Sequence, residues 1–137
     1  MAENQTITVQ IVTDNARGLI AWVEDVFDAE TTGIYEDGDQ VIHSQVVLGN
    51  SHLFISDAND EFGPFPAMLS VYVDNVDAVH ARALEKGAIN LRDPEDQFYG
   101  DRSGGVLDNH GNQWWISTQV EEVSEDEMRR RMAELGG

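Results

Sequence analysis

Residues 7–27, ITVQIVTDNARGLIAWVEDVF, and residues 69–87, LSVYVDNVDAVHARALEKG, decide the fold. In the first stretch apolar Ile7, Val9 and Ile11 alternate with Thr8 and Gln10, the period-2 mark of a strand with two different faces. Asp14 or Asn15 then caps a helix whose Leu19, Ile20, Val23, Val26 and Phe27 make one apolar stripe, and that stripe needs a sheet to cover. The second stretch repeats the plan: a strand over 69–73, an Asp74-Asn75 cap, and a stripe of Val76, Val79, Ala83 and Leu84 closed by Gly87. The two Asp-Asn pairs stand 60 positions apart, and at that offset Val9 matches Leu69, Ile11 matches Val71 and Leu19 matches Val79. The chain reads as an internal duplication.

Outward from these stretches, short strands are predicted over 31–36, 41–48 and 52–56, then over 88–93, 102–107 and 113–118, with tight turns at Gly49-Asn50 and at Asp108-Asn109-His110-Gly111. The segment 57–66, with its acidic residues, Gly63 and two prolines, reads as a surface connection. The fold class is therefore α+β: one domain over 1–137 made of two tandem βαβββ modules, about 6–57 and 67–119. A capping box at Ser124-Glu125-Asp126-Glu127 opens a C-terminal helix, about 124–135. Its Met128, Met132 and Leu135 are expected to dock on the body, with Arg129, Arg130 and Arg131 favouring the C-terminal end of its dipole.

Composition narrows the partners. The chain of 137 residues carries 26 acidic against 8 basic residues, a formal charge of -18, which argues against nucleic-acid backbone or an anionic membrane surface as a partner. Only Lys86 among the bases is a lysine, and the acidity is read either as adaptation to salt or as a plain solvated surface. With no cysteine, disulfides, thiol nucleophiles and cysteine metal sites are excluded. The first ten residues lack a signal-peptide pattern and no run of 18 apolar residues occurs, so a cytoplasmic location is expected.

The stretch DQFYGDRSG at 96–104, followed by LDNHGNQW at 107–114, together with the duplicated βαβββ plan, resembles the glyoxalase, bleomycin-resistance and extradiol-dioxygenase superfamily, the vicinal oxygen chelate proteins. The block itself looks like the glyoxalase-like subgroup that includes antibiotic-binding proteins. The resemblance implies that eight strands curl into a cup with the helices outside and a ligand or metal inside, and that two chains pair as a homodimer. On the strand faces, Ile7, Val9 and Ile11, and Leu69, Val71 and Val73, are expected under the helices, leaving Thr8, Gln10, Met68, Ser70 and Tyr72 to line the cup.

Metal-dependent members of the superfamily carry ligands on the first and last strands of each half. The resemblance puts these positions at Thr8, Met68 and Trp115, and in 53–56, which holds no acid, with Asp57 just beyond. A thioether and an indole are poor ligands for a divalent ion, so no metal and no cofactor is expected. His43 and His52 fall on adjacent strands, nine residues apart across a turn, with no evident carboxylate partner; His80 is placed on the polar flank of its helix, and His110 in a turn. Trp114 and Trp115 must point to opposite faces, and the resemblance puts Trp115 in the cup. With Tyr72 and Phe54 it offers stacking surface, and Gln10, Ser70, Tyr99 and Arg102 complete the expected ligand-binding set. The resulting expectation is a metal-independent binder of a planar or amphipathic small molecule. Two enzymatic alternatives stand beside it: a metal-dependent lyase, isomerase or dioxygenase of the same superfamily, and a metal-free reaction on Gln10, Ser70, Tyr72 and His43. No catalytic residue is assigned.

Overall fold

A computed structural model describes residues 5–136 of the chain. By contact they divide into two units, residues up to 67 joined by the turn 109–112, and residues 68–108 joined by those from 113 onward. In the first unit the order is β1 (Val9–Thr13), α1 (Ala16–Phe27), β2 (Glu30–Asp37), β3 (Gln40–Leu48) and β4 (Ser51–Asp57). These strands form one sheet in the spatial order β1-β4-β3-β2, with β1 parallel to β4 and the other pairs antiparallel. The second unit repeats this with β5 (Met68–Tyr72), α2 (Val76–Glu85), β6 (Ile89–Asp96), β7 (Asp101–Leu107) and β8 (Gln113–Gln119), in the order β5-β8-β7-β6. The helix α3 (Glu125–Gly136) follows. This is the α+β fold of two βαβββ modules, four strands in each sheet.

Both crossover helices start for the same reason. The Asn15 side chain accepts the Gly18 N–H at 3.0 Å, and Asn75 accepts the Ala78 N–H at 3.2 Å, each satisfying a donor of the first turn. A residue from the last strand of each module adds a second cap. Asp57 accepts Ala16 N–H through one oxygen at 2.8 Å and Val41 N–H through the other at 2.7 Å, while Thr118 Oγ1 accepts Val76 N–H at 2.8 Å and donates to the Val73 carbonyl. Asp28 at φ 56° ends α1, and Gly87 at φ 104° turns the chain out of α2.

The core of the first unit joins Leu19, Val23 and Val26 of α1 to Ile11, Val41, Val46 and Ile55 of the sheet, all fully buried. In the second unit Val76 and Ala83 of α2 lie over Val106, Trp114 and Ile116. Each valine, leucine or isoleucine among them contributes roughly 1.5–3 kcal/mol by leaving water.

Three details correct the sequence reading. Ile11 is buried, but Ile7 is 81% and Val9 42% exposed: the cover of β1 ends at Ile11, and the strand begins only at Val9. His80 is buried rather than on a polar flank, because Asn90 supplies a hydrogen-bond partner to its Nε2 at 3.0 Å. In α3 no side chain is buried, and Met132 and Leu135 are exposed. What ties this helix down is polar: Arg131 donates to the Phe98 carbonyl at 2.7 Å and grips Glu121 with two bonds of 2.9 Å. Its arginines lie in mid-helix, pairing with Glu125, Asp126, Glu127 and Glu134, and none reaches the last turn. Among the described residues no helix is long and apolar enough to cross a membrane.

Candidate functional site

The alternation of β7 makes the 99–105 stretch intelligible residue by residue. Gly100 sits at φ 99°, and a Cβ there would stand 2.4 Å from the Glu121 carbonyl oxygen, so only glycine fits the turn that starts the strand. Asp101, Ser103 and Gly105 then fall on the face away from α2, and Arg102 and Gly104 on the face toward it. Arg102 accordingly forks onto Asp77 of α2 with two bonds of 3.0 Å and reaches Asp96 at 3.3 Å. A side chain on Gly104 would press within 3.0 Å of the His80 ring.

On the open face of this second sheet, a row of residues crosses the strands. Arg92 pairs in register with Gly105, Gly105 with Trp115, and Trp115 with Ser70. The glycine is what lets the indole lie down. A Cβ at position 105 would fall 2.5 Å from Trp115 Cζ3, 2.7 Å from Cε3 and 2.8 Å from Cη2, so the six-membered ring covers the place where a side chain would stand. The Arg92 guanidinium lies over the same ring, 4.9 Å from its centroid, a cation–π arrangement. Trp114, one residue earlier, points the other way, fully buried with its Nε1 donating to Asp108 at 2.8 Å.

A hollow of about 430 Å³ opens on this face, lined by Met68, Ser70, Tyr72, Arg92, Tyr99, Asp101, Ser103, Trp115 and Ser117. At one end the Tyr72 hydroxyl donates to Asp101 Oδ2 at 2.7 Å, and Ser117 donates to Ser103 at 3.1 Å. The bond to Asp101 raises the Tyr72 phenol above its ordinary value, with desolvation and then the Asp101 charge adding to the effect. A phenol held in its neutral form is a hydrogen-bond donor and a poor base. Four expected ligand contacts, Ser70, Tyr72, Tyr99 and Trp115, thus share one hollow. Arg92 and Asp101, neither of them in the expected set, join them; strand alternation, which puts Asp101 on the face opposite Arg102, is the signal that could have found Asp101.

The other expected residues lie elsewhere. Arg102 is drawn to α2 by two carboxylates and does not line the hollow. Gln10 belongs to the first unit, where its amide donates to Ser56 at 3.2 Å beside a second hollow of about 520 Å³, lined also by Val12, Ile42, Phe62 and Phe65. The connection 57–66 borders that hollow and is pinned there by Phe65 N–H donating to the Val12 carbonyl at 2.8 Å. Phe54 lines neither hollow; its ring meets that of His43 edge-on at 4.6 Å.

His43 is opposite Tyr35 and His52 opposite Val47, so the two imidazoles are not cross-strand partners, and His52 Nδ1 engages Gln45 at 2.7 Å. His110 engages Thr13 Oγ1 at 3.3 Å. Both Asp57 oxygens serve backbone donors. The donor set at the superfamily's metal positions, the Thr8 hydroxyl, the Met68 thioether and the Trp115 indole, does not suit a divalent ion. Among the described residues no three His, Asp or Glu side chains converge as a metal site.

No family model matches the chain. It is 29% identical over 142 residues to an uncharacterized protein of Mycobacterium bovis, covering 95% of this chain and 93% of that one. An uncharacterized protein of Mycobacterium tuberculosis is likewise 29% identical, with 84% of its length covered. Among solved structures, TioX from Micromonospora sp. ML1 superposes with a TM-score of 0.71 at 17% identity, over 85% of this chain and all (100%) of that one. A glyoxalase/bleomycin resistance protein/dioxygenase family enzyme from Burkholderia phytofirmans PsJN gives 0.67 at 20% identity, over 82% and 97%. The pairing order β1-β4-β3-β2, repeated as β5-β8-β7-β6, and these superpositions together show that the chain has the glyoxalase/bleomycin resistance/dioxygenase fold.

Proposed function

We propose that the protein binds a planar or amphipathic small molecule in the hollow of its second module, without a metal ion. The observation that carries this reading is the indole of Trp115 laid flat over Gly105, which turns part of a sheet face into an aromatic platform. Hydroxyls of Ser70, Tyr72, Ser103 and Ser117 around an aromatic floor make the mixed lining that small-molecule sites favour. An aromatic contact of this kind contributes about 0.5–1.5 kcal/mol beyond simple burial. The Tyr72–Asp101 bond stabilises the protonated phenol, which argues against Tyr72 as a nucleophile or general base.

The test is calorimetric titration of chelator-treated protein with bicyclic aromatic compounds, repeated on Trp115→Ala. Binding without metal that is lost in the variant supports the reading. Absence of binding by every compound, or binding indifferent to Trp115, overturns it. The same reading includes a homodimer, in which a second copy covers an edge of these four-stranded sheets. Light scattering should then return twice the chain mass of 15.2 kDa, and a monomer mass would remove that element.

A further inference from the structure

We infer that the Trp115 hollow selects an aromatic acid, with Arg92 as the residue that receives its carboxylate; this rests on the hollow being a ligand site. The chain is short of cations, 8 Lys and Arg against 26 Asp and Glu, so an arginine without an acidic partner is unusual in it. Arg17 pairs with Glu36, Arg102 with Asp77 and Asp96, Arg131 with Glu121 and Glu127, and Arg129 and Arg130 with acids of their own helix. The Arg92 guanidinium makes no ion pair and no hydrogen bond among the described residues. It is held instead by stacking on Trp115, which leaves the edge of the guanidinium, with its five N–H donors, unspent. A guanidinium edge matches a carboxylate with two parallel bonds, so an arginine that yields its place on the indole to a ligand ring and pairs the acid of the same ligand reads both groups at once.

The placement of the opposing charge gives the ligand a direction. Asp101 lies four residues from Gly105 on β7, about 13 Å of strand at roughly 3.3 Å per residue. It occupies the Tyr72 end of the hollow, while Arg92 stands beside Gly105. An anion is therefore repelled at one end and paired at the other. The surplus negative charge of the whole chain opposes an anionic ligand only weakly in physiological salt, where charges beyond about 8 Å are screened.

The experiment compares three probes of one shape, 2-naphthoate, 2-naphthamide and 2-naphthylmethylammonium, by calorimetry at physiological salt on the full chain and on Arg92→Gln. The expected order is naphthoate, then naphthamide, then the ammonium, with naphthoate ahead of the amide by about tenfold or more, which is roughly 1.4 kcal/mol. Arg92→Gln should erase that preference and leave naphthamide within a few-fold of its original affinity, with an unchanged circular dichroism spectrum showing the fold intact. Equal binding of acid and amide, a preference for the ammonium, or a preference that survives Arg92→Gln overturns the inference and leaves the aromatic platform standing. If none of the three probes binds, the ligand site itself is wrong, and the acid selection falls with it.

Discussion

Across the first sheet one row of residues reads Gly33, Gln45, Phe54, Gln10; across the second, the equivalent row reads Arg92, Gly105, Trp115, Ser70. The two rows sit at matching places in the duplication, and irregular pairing flanks Gly33 and Arg92 alike. They differ in where the glycine stands. In the first module it is on the edge strand, the middle position carries a full glutamine, and Phe54 turns its edge to His43. In the second it is on the middle strand, the neighbouring tryptophan lies over it, and the edge position is free to hold an arginine on top. The same backbone thus becomes a filled face or a binding platform by moving one side chain's worth of space from one strand to the next.

The capping residues offer the most severe way to break the comparison. Asp57→Ala strands two backbone donors, Ala16 N–H and Val41 N–H, and should cost about 2–4 kcal/mol in chemical denaturation. Thr118→Val removes one acceptor and one donor at the corresponding place in the second module, and about 1–2 kcal/mol is expected. Equal costs would show that the carboxylate's second bond, to β3, contributes nothing.

Next in size is Gly105→Gln, which writes the first module's residue into the second. The added side chain occupies the space of the Trp115 ring, so the indole must stand up, at a cost of about 1–3 kcal/mol. Probe binding should be lost and the emission of Trp115 should move to longer wavelength. A variant that binds as before would mean that the flat indole is not the platform.

How much of this was legible in the sequence follows from what each feature depends on. The helix stripes, the Asn15 and Asn75 caps and the repeat are local or periodic, and the fold class rests on them. The opposite directions of Trp114 and Trp115 needed only strand alternation. Arg92 was overlooked because its partner lies two strands away and is reached through irregular register at Leu91, which no local pattern announces. Arg102 was overvalued for the converse reason: it stands inside the recognisable block, yet its parity, opposite to that of Asp101, sends it to the helix side. The rows also slip. Gln10 to Ser70 is a shift of 60, but Phe54 to Trp115 is 61, so one offset could not align both.

A smaller effect sharpens the chemistry of the hollow. With its phenol pKa raised by Asp101, Tyr72 favours the folded state while protonated, so its contribution is intact below about 10, the ordinary tyrosine value, and fades as pH rises through the higher folded value. Ultraviolet titration should show one of the three tyrosines ionising late, and Asp101→Asn should return it toward the others.

Least of all is expected from Asp77→Asn or Arg102→Gln. The Arg102 guanidinium holds the Asp77 carboxyl below its ordinary value, so this pair favours folding above about 3.8 and loses its effect as pH falls through the lower folded value. Asp77 is exposed and Arg102 half-buried, on the face away from the hollow, and naphthoate binding should be unchanged in either variant. A loss of binding in Arg102→Gln equal to that in Arg92→Gln would erase the distinction between the two faces of the sheet.

The stacked guanidinium has a further consequence, for the protein before any ligand arrives. An indole lying bare on an exposed sheet is the kind of apolar surface through which chains adhere to one another. Arg92 covers it with a weakly hydrated planar cation of similar shape, so the empty protein presents a charge where it would otherwise present a greasy plate. Removing that cover is a solubility question as much as a recognition one: Arg92→Ala should precipitate at lower concentration than Trp115→Ala or the double variant.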